Sequence, residues 1–77
     1  MVLPMLYVMY SDGTLQKIHN VESVRHKVEH VDCLDESECF ITRIPKLTIS
    51  TYSLNAPLPG TDEAEYEELT ARSRKAF

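Results

Sequence analysis

The sequence predicts a small α+β domain: a sheet of three or four mainly antiparallel strands, one packed helix, and a charged C-terminal helix. Three observations predict it. Met5 to Tyr10 is an apolar and aromatic run rich in β-formers that leads into Asp12-Gly13, and Asp-Gly after such a run is a strong hairpin signal. Val21, Val24, Val28 and Val31 recur at helical spacing. Beyond Pro57 and Pro59, residues 61–77 begin acidic and end basic, the order a helix macrodipole favours.

Each element has its own local reason. The first strand, Met5 to Tyr10, is apolar on both parities, so it should be an interior strand covered on both faces, or covered on one face and paired with a partner on the other. A type I′ turn at Asp12-Gly13 would place Tyr10 opposite Leu15 and Tyr7 opposite Ile18. Leu15 and Ile18 then differ in parity, so Thr14 to His19 does not alternate cleanly, and a bulge or another register would account for it.

Asn20 is a favoured N-cap and Glu22 suits the positive end of a helix, which gives a helix from Val21 to Val31. The competing reading is a strand, because every residue of the stripe is β-branched and Val24, His26, Val28 and His30 also alternate. Asp32 to Glu38 reads as an acidic loop. Cys39 to Tyr52 is a second β region, broken or bent at Pro45, which has no N–H for a ladder.

These elements divide the chain into an α+β core at 1–54, a Pro/Gly linker at 55–60, and a charged helix at 61–77. The helix would open on a capping box within Asp62-Glu63-Ala64-Glu65 and carry the i,i+4 pair Glu68 and Arg72.

Size and composition narrow the function. Seventy-seven residues make one domain at most. Stability at this size is about 3–5 kcal/mol, and a core and a deep substrate pocket compete for the same apolar side chains. A binding module is therefore expected rather than an enzyme. Apolar residues make up 43% and charged residues 26%, close to globular averages, which argues against wholesale disorder.

No apolar run approaches the roughly 20 residues that span a bilayer. The N-terminus lacks the basic region and cleavage site of a signal peptide. A cytoplasmic location without membrane association is expected, with Cys33 and Cys39 as free thiols; a short disulfide would need an oxidising compartment.

One set of side chains has metal-ligand chemistry. On a helix His26, His30 and Cys33 would share a face, and Cys39 could close a site of two imidazoles and two thiolates, the donors zinc prefers. The spacing is not a standard zinc motif, and two surface histidines with two separate thiols describe the same residues. A nucleophilic cysteine would need a neighbour that favours thiolate, and the neighbours in sequence are carboxylates. With Gly13 and Gly60 the only glycines, there is no phosphate-cradling loop. No cofactor is expected.

The acids carry the sharper expectation. Net charge is −4, and nine of the twelve acidic residues lie in two groups, at 32–38 and 62–68. There is no basic stripe of the kind that binds a phosphate backbone directly. Asp62, Glu63, Glu65, Glu67 and Glu68, flanking Leu69 and a Tyr66 expected in solvent, would present a negative face to a basic protein. One such partner is a protein whose basic groove otherwise holds nucleic acid.

The chain is expected to act by protein–protein contact as an inhibitor, adaptor or assembly component, with self-pairing into a homodimer through an open sheet edge as a second contact. Its layout is generic among small accessory proteins, including those carried by phages and other mobile elements. The alternative is a small zinc-stabilised domain built on His26, His30, Cys33 and Cys39.

Overall fold

The strand Met5–Tyr10, β1, lies inside a four-stranded sheet. Leu6, Tyr7 and Val8 are all buried, as its apolar character on both parities requires. The computed structural model describes residues 4–69. Six further strands follow in order: β2 (Leu15–His19), β3 (Ser23–His26), β4 (His30–Leu34), β5 (Phe40–Pro45), β6 (Ile49–Leu54) and β7 (Glu67–Leu69). One sheet has the order β6-β1-β2-β7 and the other β3-β4-β5. The described residues hold no α-helix, and single 3₁₀ turns stand at Lys46–Thr48 and Glu63–Glu65. The fold is therefore mostly β, not α+β.

The first correction concerns the hairpin. Gly13 has φ +90° while Asp12 keeps a negative φ, and Tyr10 N–H donates to the Thr14 carbonyl at 2.8 Å. The loop is three residues long with glycine in the left-handed position, the usual alternative to a two-residue turn. Asp12 stabilises it by accepting the Thr14 N–H at 2.9 Å. The register moves by one from the expectation: Met9 faces Leu15 and Leu6 faces Ile18. Ile18 therefore joins Leu6 in the core while Leu15 lies on the opposite face.

The second correction concerns Val21 to Val31, which form a hairpin rather than a helix. Val24 pairs with Cys33 and His26 with Val31 across β3 and β4. Branching at Cβ stiffens χ1 against a helix turn and suits a pleated surface. Val28, the third member of the helical stripe, is 93% exposed at the tip. Asn20 is no N-cap either, since it holds φ +66° and turns the chain out of β2, a conformation Asn tolerates.

Leu6, Val8, Ile18, Val21, Cys33 and Ile44 form one buried cluster drawn from both sheets. Tyr10, Val24, Ile41, Ile49, Tyr52 and Leu54 pack against it. The sheets thus close face to face over a shared core, the two-layer solution open to strands with one apolar face. Pro45 ends β5 at the edge of its sheet, where a missing N–H is harmless.

The third correction concerns residues 61–69. They carry a 3₁₀ turn and a strand instead of the first half of a charged helix. The capping box between Asp62 and Glu65 is present, but the chain leaves the turn in extended conformation at Tyr66. The rest of the expected helix, with Arg72, lies outside the described residues. Residues 55–66 cross from β6 on one edge of the four-stranded sheet to β7 on the other, burying Leu58 and Tyr66. They act as a strap over the outer face of that sheet.

Candidate interaction surfaces

The strap is anchored through Tyr66, which is only 5% exposed, against the expectation that it stands in solvent. Its ring meets Tyr7 edge to face. The Leu58 N–H donates to its hydroxyl at 2.9 Å, and the Thr61 hydroxyl lies 2.6 Å from it. Tyr7 in turn donates to Glu63 at 3.1 Å. Burial, then Glu63, push the Tyr7 hydroxyl above its ordinary pKa.

Around these anchors Asp62, Glu63, Glu65, Glu67 and Glu68 are all exposed. Glu65 accepts the Asp62 N–H at 2.6 Å. Glu68 lies 2.6 Å from His19, which holds its carboxyl below the ordinary value. β7 runs parallel to β2 and opposes Glu67 to Gln16 and Glu68 to Lys17. Of the expected partner-binding set, the five acids are exposed along one segment with Tyr66 buried beneath it. Glu67 and Glu68, consecutive on β7, point to opposite faces of the sheet, Glu68 to the face that carries Tyr7 and His19. Leu69 ends β7.

The four sheet edges differ sharply. β3 is four residues long and contains Arg25 and His26; β5 contains Arg43 and Pro45; β7 contains Glu67 and Glu68. Short length, charge and proline are the devices by which edges avoid pairing. β6, Ile49-Ser-Thr-Tyr-Ser-Leu54, has no charge and no proline over six residues. Its one irregularity is a bulge where Met9 faces Thr51 and Tyr10 faces Ile49.

The outer face of the three-stranded sheet is organised on Asp32, 7% exposed. Arg25 and Arg43 flank it in register. Arg43 Nε donates to it at 2.9 Å, and His30 lies 3.6 Å away. The hydrogen bond from Arg43 holds the carboxyl below its ordinary pKa, against the opposing effect of burial. The Arg43 guanidinium also lies over the Phe40 ring, 5.7 Å from its centre. In this row Asp32 pairs with Arg43 while Arg25 reaches Glu38 at 3.5 Å, and sequence inspection missed it because its members are contributed by three strands.

The zinc alternative asks four side chains to converge, and the structure disperses them. His26 lies on the inner side of β3, 2.6 Å from the Tyr52 hydroxyl. His30 faces outward beside Asp32. Cys33 is fully buried in the core, where burial and then the Asp32 charge push its thiol up to about 11. Cys39 is an exposed thiol in the β4–β5 loop. Among the described residues no three His, Cys, Asp or Glu side chains gather in a metal-binding arrangement.

A cleft among the described residues is lined by Pro4, Asn20, Glu22, Asp35, Glu36 and Ser37. Its Asp35 carboxylate is occupied by the Ser37 and Cys39 N–H groups, at 2.8 and 2.9 Å. This is a local turn device rather than a free ligand.

No helix among the described residues is long and apolar enough to cross a membrane. Compared with family models, curated proteins and solved structures, the chain finds no match in any of the three.

Proposed function

We propose that this chain is a small protein-binding module whose acidic strap takes a basic protein partner. The carrying observation is that five exposed carboxylates, at 62, 63, 65, 67 and 68, sit on a segment pinned by the buried Leu58 and Tyr66. A charged surface held in place by its own core loses little conformational freedom on binding. Its negative field raises the rate of encounter with a basic surface. An inhibitor, an adaptor or an assembly component would each use such a surface, and a protein with a basic nucleic-acid groove is a fitting partner.

The test is affinity capture and crosslinking with the full chain and with a Glu65→Lys, Glu67→Lys double variant. Both sites are exposed, but Glu65→Lys gives up the hydrogen bond from the Asp62 N–H, so circular dichroism checks that the fold survives. The expected result is a stoichiometric partner with a basic surface, released by salt and lost from the variant. Equal capture by the variant would overturn the proposal.

A further inference from the structure

We infer that β6 is a self-association edge, on which a second copy of this chain adds its own β6 antiparallel. The contact lies on a different element from the acidic strap and stands or falls independently of it.

Backbone direction makes the edge available. The Asn55 N–H donates to the Met5 carbonyl at 2.7 Å, so Met5–Asn55, Tyr7–Ser53 and Met9–Thr51 are the hydrogen-bonding pairs of the β1–β6 ladder. Leu6–Leu54 and Val8–Tyr52 are the alternate pairs. The N–H and C=O groups of Tyr52 and Leu54 therefore point away from β1. Among the described residues β6 pairs with β1 alone.

Charge then selects the occupant. In an antiparallel pair about a twofold axis, a strand faces residues of its own sequence. A charged strand would set like charges against each other near that axis, which is destabilising. β3, β5 and β7 all contain charged residues, and β6 contains none. A twofold axis at Ser53 places Tyr52 of each copy opposite Leu54 of the other. All the outward backbone groups of both residues are then satisfied. Tyr52 and Leu54 already pack against the core cluster, so the new cross-strand pairs extend that apolar layer from one copy into the next. The bulge near Ser50 falls outside the paired stretch. Such an edge contact buries less than the roughly 1,600 Å² of a standard interface, so association should be weak and concentration-dependent.

The experiment is sedimentation equilibrium of the full chain from about 10 μM to 1 mM, a range suited to small interfaces, with Ser53→Lys and Ser53→Asp variants. The expected result is a monomer–dimer equilibrium. Each variant alone should weaken it about tenfold or more by opposing like charges. Their mixture should restore it by opposing unlike ones.

Amide exchange of the unmodified chain provides a readout that does not depend on the variants folding. Tyr52 and Leu54 amides should gain protection as concentration rises, while that of Val24 on β3 does not. A monomer throughout the range overturns the inference. So does a dimer with no added protection at Tyr52 and Leu54, which would place the contact elsewhere. Protection already complete in dilute solution also overturns it, because the edge would then be occupied within the chain.

Discussion

The Tyr66 ring stands edge-on to Tyr7, with centroids 5.0 Å apart and planes at 76°, and this pair fastens the strap to the sheet. Aromatic edge-to-face contacts add to what burial alone supplies. Tyr66→Ala should cost about 3 kcal/mol or more, the range for deleting a buried aromatic side chain. For a chain of about 3–5 kcal/mol total stability, that leaves little folded protein. Tyr66→Phe keeps the ring but strands the buried Leu58 N–H, at about 1–3 kcal/mol. Urea midpoints measured on the three proteins would order them wild type, Phe, Ala. A Tyr66→Ala midpoint equal to wild type would show the strap to be loosely attached. For the same reason a chain ending at Pro59 should be destabilised, not merely relieved of a tail.

How much of this was legible in the sequence depends on the range of the interaction. β1 was readable because its two apolar parities are a local record of cover on both faces. The Asp12-Gly13 turn was readable, but its loop length was not. Asp-Gly suits both two- and three-residue loops, and choosing wrongly moves the register by one. Val21 to Val31 satisfied a helical stripe and a strand alternation at once, and the tie was broken by pairing with β4 and β5. Tyr66 looked exposed because its neighbours are acids. Its burial depends on Tyr7, far away in the sequence, and neither position carries a periodic signal for the other. The acidic cluster itself was plain from composition. What lay hidden was the support beneath it.

Gly13 offers a test of the turn alone. At φ +90° an added Cβ would meet nothing within 4 Å, so the penalty of Gly13→Ala is backbone strain without a clash. A cost of about 1–2 kcal/mol follows from the strain of the left-handed region for an L-residue. Gly13→Asn should cost less, since Asn visits that region more readily. Urea titration of both variants would check it; a Gly13→Ala midpoint equal to that of the wild type would mean that the loop relaxes to another turn type.

Acid should unfold this protein partly through Asp32. Its carboxyl is held below the ordinary value of 3.8, first by the hydrogen bond from Arg43. Asp12 is lowered by Thr14 and Glu68 by His19. A carboxyl with a depressed folded pKa binds its proton more readily when unfolded. The stability it contributes is therefore fully present above the unfolded value and is lost as pH falls through the folded one. The acid limb should begin near the ordinary values of 4.5 for Glu68 and 3.8 for the aspartates. Arg43→Ala should move the Asp32 titration upward in carbon-detected NMR, and Asp32→Asn should flatten part of the limb. An Asp32 titration that ignores Arg43→Ala would remove the hydrogen bond from this account.

At the alkaline end the core cysteine should act with the opposite sign. Cys33 is fully buried, and its thiol is pushed up to about 11 from an ordinary 9.0, by burial first and the Asp32 charge second. Between those values the unfolded chain releases the proton while the folded chain keeps it. Stability is thus intact below about pH 9 and falls as pH rises toward about 11, with a slope approaching one proton per molecule. Tyr7 and Tyr10, both raised by burial from an ordinary 10.0, steepen the fall above that value. Cys33→Ala should remove the cysteine part of that slope in urea midpoints taken at about pH 8, 9 and 10. Thiol labelling gives an independent check at about pH 8. Exposed Cys39 should react at once, and Cys33 only at the rate at which the native protein opens. Two fast thiols in the native protein would mean that the sheets part far more readily than their shared core implies.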